Sequence, residues 1–90
     1  MEVTTLDKVP LNCVAVIQHI DSDEDIRNRI FDMGIMENET IIPLFRSPFK
    51  DPVAYYIKNT VIALRNEESQ NIFVKIIWLE AFVIVNKKQP

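Results

Sequence analysis

The chain is short of side chains that hold metals or do chemistry. Its 90 residues include one histidine, His19, and one cysteine, Cys13. On one extended strand these lie six residues apart, about 20 Å at about 3.3 Å per residue, and cannot share an ion. The acidic stretch DSDEDI, 21–26, could hold a hard cation loosely, but helix capping accounts for the same carboxylates more simply. No nucleophile–base pair, glycine-rich phosphate loop or carboxylate dyad is visible. The sequence therefore reads as a non-enzyme, with no catalytic residue, no cofactor and no metal ligand assigned.

The elements that would carry any site are short. CVAVIQHI, 13–20, is rich in β-branched residues and predicts a strand with Cys13, Ala15 and Ile17 on one face. A helix of about 10 residues follows, capped by Ser22 or Asp23, with Ile26, Ile30, Phe31 and Met33 as its apolar stripe. Gly34, the only glycine in the chain, stands where helices commonly end in left-handed backbone and is predicted as the C-cap. TIIPLFR, 40–46, is a second strand with an edge or bulge at Pro43, which cannot donate a ladder hydrogen bond. SPFKDP, 47–52, is a loop bracketed by prolines. VAYYIK, 53–58, and VIALR, 61–65, are the third and fourth strands, with Asn59-Thr60 as the turn between them. NEESQ, 66–70, can form one helical turn capped by Asn66, and a fifth strand starts at Ile72. The fold class expected is mainly β: a small, partly open barrel of about five strands, with one short α-helix between the first two.

Composition narrows the function classes. Apolar residues make up 48% and charged residues 26%, an ordinary mixture for one folded domain. A net charge of −3 is not the basic footprint of a nucleic-acid binder, which disfavours an RNA-binding barrel. One cysteine excludes an internal disulfide and fits a reducing compartment. The N-terminus has no signal-peptide pattern, and Met1 reads as an initiating methionine rather than the start of a fragment. The longest apolar-rich run, 72–85, is 14 residues broken by Lys75 and Glu80, short of the roughly 20 a membrane helix needs. A soluble, cytoplasmic protein without membrane insertion is expected.

At 27–35 the residues RNRIFDMGI resemble the signature of the FeoA family, small bacterial SH3-like barrels associated with ferrous iron uptake. The resemblance continues in order through TLDKV (5–9), PFKDP (48–52) and IALRNEES (62–69), covering residues 5 to about 76. It implies an SH3-like barrel over 1–76, with 77–90 as a C-terminal extension, strand-like and then a frayed tail. Family members tend to have glycine where this chain has Asn12, Asn38 and Asn59, and asparagine best tolerates left-handed backbone among the other residues. That Gly34 is not so replaced suggests that room for a side chain is also missing there. Lys50 stands for the loop glycine, Glu37 for a usual proline and Ser69 for the usual alanine.

The function implied by the resemblance is that of an accessory protein of ferrous iron transport. It would act on a FeoB-type transporter through that transporter's cytoplasmic GTP-binding domain. Metal binding belongs to the family's vocabulary, with little support in these residues. The expected contact surface joins the helix end at 27–35 to the loop at 47–52, with Arg29, Gly34, Phe49 and Lys50 as its residues. Arg27 and Arg29 do not face each other on a helix, so one can pair locally while the other faces a partner. Arg65 is expected to brace the barrel. Phe49, at the tip of a proline loop, either docks on a partner or folds back onto the barrel. Trp78 and Phe82 load the extension with apolar surface, which either packs on its own barrel or pairs with a second copy as a homodimer, the latter favoured. The alternatives are an SH3-like regulatory domain related to iron-dependent repressors, and a self-associating structural module.

Overall fold

The structure, a computed structural model, describes residues 3–78. In chain order it has β1 (Val3–Thr5), a 3-10 turn (Leu6–Lys8), β2 (Val14–Ile20), α1 (Glu24–Asp32), β3 (Thr40–Arg46), β4 (Val53–Ile57), β5 (Thr60–Leu64), α2 (Asn66–Ser69) and β6 (Ile72–Trp78). The strands form one antiparallel sheet in the order β1-β6-β2-β3-β4-β5. The class is mainly β, as expected, with six strands instead of about five. The additional strand is β1, three residues paired to β6 from Val3↔Lys75 to Thr5↔Phe73. Phe82 lies outside the described residues, and of Trp78 only the backbone is described.

The core gathers one face of every strand from β2 to β6. Leu6, Ala15, Ile17, Ile30, Ile35, Ile41, Leu64, Ile72 and Val74 are all fully buried in it. Each fully buried Leu, Ile or Val side chain among them contributes about 1.5–3 kcal/mol relative to an exposed one. Cys13, Ala15 and Ile17 share the core face as the two-residue period requires. Ile20 joins them against that period, because the β2–β6 register shifts between Ile17 and His19. This bulge turns Gln18 and His19 outwards and Ile20 in. Pro43 sits at the expected irregularity, with the β3–β4 register shifting between Pro43 and Phe45.

Helix α1 starts at Asp23, whose Oδ1 accepts the Ile26 N–H at 2.9 Å. Of the expected stripe, Ile30 is fully buried, and Ile26 and Met33 pack partly against the core. Phe31 is a correction: at 46% exposure it stands outside the core face. Positions 26, 30 and 33 lie within one narrow helical stripe, and 31 falls on its flank.

The helix closes at Met33, so Gly34 is the residue beyond the cap, with φ +84°. The Gly34 N–H donates to Phe31 O at 2.9 Å and the Ile35 N–H to Ile30 O at 3.3 Å. These are the two hydrogen bonds of a Schellman motif, and Ile30 and Ile35 supply its apolar contact. Lack of room does not explain the glycine, since a Cβ there would meet nothing within 4 Å. Backbone conformation alone demands it. Gly34→Ala is therefore expected to lower stability by about 1–2 kcal/mol, the left-handed penalty without a clash. Urea unfolding checks this, with Gly34→Asn falling between the two.

The asparagines behave as the resemblance implied. Asn12, Asn38 and Asn59 have φ of 67°, 70° and 63°. Lys50, in the loop-glycine position, is left-handed too, with φ 68°. Lys58 adds a fifth such residue at φ 51°, and its Nζ pairs with Glu39 Oε1 at 2.8 Å.

Candidate functional site

The two arginines of α1 have different surroundings. The Arg27 guanidinium donates to the Ser22 carbonyl at 3.0 Å, bracing the helix start. Arg29 is exposed in the last turn, and its side chain makes no hydrogen bond or ion pair among the described residues. Phe31 and Met36, 46% and 54% exposed, flank the Gly34 turn beside it. The helix end and the turn after it thus carry one exposed cation and two exposed apolar side chains, residue types that partner surfaces favour.

The loop at 47–52 is built to hold its tip still. The Ser47 N–H donates to Pro52 O at 3.1 Å and the Lys50 N–H to Ser47 O at 2.8 Å, closing a turn with Pro48 at its second position. A further tie comes from outside the loop, where Asp51 Oδ1 accepts the Asn66 N–H at 2.9 Å. Asn66 was expected to cap α2 with its own side chain. Instead Arg65 is the N-cap residue, its N–H donating to Glu68 Oε1 at 3.0 Å, while Asp51 satisfies Asn66. Arg65 itself is exposed, so its backbone rather than its guanidinium does the bracing. Phe49, 90% exposed, stands out from this pinned loop and does not fold back onto the barrel.

Beneath the loop, Tyr55 is buried in the core. Burial pushes its phenol above the usual value, the Ser69 hydroxyl draws it back down, and the Asp7 carboxylate pushes it up again. The group stays neutral at physiological pH and serves packing.

Arg29 and Gly34 lie before β3, whereas Phe49 and Lys50 lie after it. Phe45 and Val61, 58% and 54% exposed, were missed by sequence reasoning. The signal for them was present as apolar residues on both parities of β3, β4 and β5.

The remaining candidates are dispersed. Cys13 is buried in the core, and His19 is exposed, 3.8 Å from Glu37 and tilted against Phe73 with ring centroids 6.4 Å apart. Among the described residues no three of His, Cys, Asp and Glu come together to hold an ion. Among the same residues no helix is long and apolar enough to cross a membrane.

Comparison with known proteins accounts for this architecture. A Porphyromonas gingivalis Fe(2+) transport protein A/Fe(2+) transporter FeoB fusion protein is 35% identical over 63 residues, which are 70% of this chain and 8% of the fusion protein. The chain thus spans a small part of that relative's length. The solution structure of a FeoA-like protein from Clostridium acetobutylicum superposes with a TM-score of 0.79 at 25% identity, over 86% of this chain and 90% of that one. Stenotrophomonas maltophilia FeoA complexed with zinc, described as a procaryotic SH3 domain protein, has the same fold at 24% identity, with a TM-score of 0.69 over 80% of this chain and 89% of that one. The model of the FeoA domain matches residues 4–76, nearly all of the described structure, and the chain belongs to the FeoA domain family, which is linked to ferrous iron transport.

Proposed function

We propose that the protein is a cytoplasmic, non-enzymatic accessory protein of ferrous iron transport. In this reading it binds and modulates a FeoB-type transporter through that transporter's GTP-binding domain. The observation that carries this is the similarity to a protein in which transport protein A and the FeoB transporter are one chain. Fusion raises the effective concentration of two modules for each other, which is useful where they must touch. The family match favours this over a repressor-type regulatory domain.

The contact surface we assign comprises Phe49 and Lys50 at the loop tip, and Arg29 beside the Gly34 turn. An exposed aromatic on a pinned loop loses little freedom on binding, and aromatic and arginine side chains dominate interface energies. A standard interface covers about 800 Å² per partner, about 28 Å across, which is enough to include both ends of β3. Calorimetric titration with the GTP-binding domain of the cognate transporter tests this. Phe49→Ala and Arg29→Ala are each expected to weaken binding by about 5- to 30-fold, at unchanged thermal stability. Full affinity in the double variant would remove this surface from the account.

A further inference from the structure

Strand β5 forms one edge of the sheet, and the direction of its backbone groups follows from its hairpin with β4. Lys58 and Asn59 make the two-residue turn, with φ of 51° and 63°, both left-handed as a type I′ turn requires. The pair that flanks such a turn, Ile57↔Thr60, exchanges both of its hydrogen bonds, and the exchange recurs at every second pair. Tyr55↔Ile62 and Val53↔Leu64 are therefore the next bonded pairs. Val61 and Ala63 turn their N–H and C=O groups away from β4. Among the described residues no strand lies on that side, and no turn or loop hydrogen bond reaches these groups.

Edge strands are ordinarily blunted by a charge, a proline or a bulge. Strand β5 reads TVIAL and has none of these, and its register with β4 runs unbroken from Val53↔Leu64 to Ile57↔Thr60. Thr60, Val61 and Ala63 are exposed, so the edge is open to an incoming strand. Its side chains are apolar on both faces. Val61 and Ala63 point outwards, while Ile62 packs partly against the core and Leu64 is buried in it. The outer rungs that end on this edge, Ile42↔Tyr56↔Val61 and Phe45↔Ala54↔Ala63, carry no charge, where a wet sheet face is normally polar.

We propose that β5 pairs antiparallel with β5 of a second copy, about a two-fold axis at Ile62. The edge selects this occupant because it is complementary to itself. With Ile62 facing its own equivalent, Val61 of each copy meets Ala63 of the other. Both of these pairs exchange both hydrogen bonds, so the outward N–H and C=O groups of Val61 and Ala63 are all satisfied. A larger side chain then lies opposite a small one in each pair, and the charge-free outer rungs of the two copies join across the axis. No like charges fall opposite each other: Arg65 of one copy meets Asn59 of the other, and Lys58 meets Asn66. The proposal is independent of the transporter reading, since β5 belongs neither to the 47–52 loop nor to the α1 end.

The test is amide hydrogen exchange of the full chain, read by NMR at two protein concentrations. A pairing this small is weak, with an expected Kd of about 1 mM. Between about 0.05 mM and about 2 mM protein, exchange at Val61 and Ala63 is expected to slow about 2- to 3-fold, by mass action. The Ile62 and Leu64 amides, bonded to β4, are expected to be protected at both. Ala63→Pro removes an outward donor without breaking a bond to β4, and Val61→Lys sets a cation on the edge. Each is expected to abolish the concentration dependence at unchanged dispersion of the core signals. Protection of Val61 and Ala63 that is the same at both concentrations would mean that their own chain covers the edge. Full exposure at both would mean that nothing pairs with it. Either result overturns the proposal, as does a concentration dependence that survives both substitutions.

Discussion

Ile30→Ala is expected to lower the stability of the domain by about 2–5 kcal/mol, the usual range for emptying a fully buried aliphatic site. For a domain of this size that corresponds to a fall in melting temperature of more than about 8 °C. The reason is specific to α1. Ile30 is its one fully buried residue, with Ile26 and Met33 only partly covered. Its carbonyl also accepts the Ile35 N–H, and its side chain belongs to the same core cluster as Ile35. Truncation therefore opens a cavity and loosens the helix exit together. Phe31→Ala, one residue on and half exposed, is expected to cost less than about 1 kcal/mol. Urea titrations with a common m-value distinguish the two, and equal losses would contradict the helix orientation described above.

The second large effect is expected at Asp51. Its carboxylate satisfies one of the donors that the first turn of α2 leaves open, the Asn66 N–H. A hydrogen bond to a charged group contributes about 1.5–3 kcal/mol when shielded. This one is exposed, so about 1–2 kcal/mol is expected for Asp51→Ala. The Asn66 amide should then exchange with solvent about tenfold faster. Asp51→Asn keeps an acceptor and should retain most of the stability. Because the same bond pins the loop that carries Phe49, Asp51→Ala should also weaken transporter binding. Unchanged loop order in this variant would show that the turn at Ser47 to Lys50 suffices alone.

Much of this arrangement was legible in the residues, and the exceptions share a cause. The positive-φ positions at Asn12, Asn38 and Asn59 were readable through the resemblance, because asparagine stands there for the family's glycines and tolerates the same backbone, whereas Lys50 was noted only as standing for the loop glycine. So was the cap at Asp23, three residues from its donor. Strand β1 was missed because three half-exposed residues carry no period of their own, and only pairing with β6 makes them a strand. The cap of α2 was misread because its acceptor, Asp51, lies 15 residues upstream. Ile20 changed faces through a bulge that depends on the register with β6. At Gly34 the position was legible and the reason was not, since free space around a Cβ is a property of tertiary structure. Arg29 and Phe49 were readable as candidates, and their exposure emerged only from the fold.

Strand β6 is inserted between β1 and β2, so the last strand among the described residues sits second from one edge of the sheet. During translation the N-terminal strand leaves the ribosome with no hydrogen-bonding partner and waits until residues 72–78 have followed it out. The remaining strands can pair as neighbours along β2, β3, β4 and β5, while the edge of β2 stays open. Contacts between sequence-distant elements are slow to form, because the loop-closure entropy precedes the gain. The time between the emergence of β2 and that of residues 72–78 therefore sets how long the β2 edge stays unpaired.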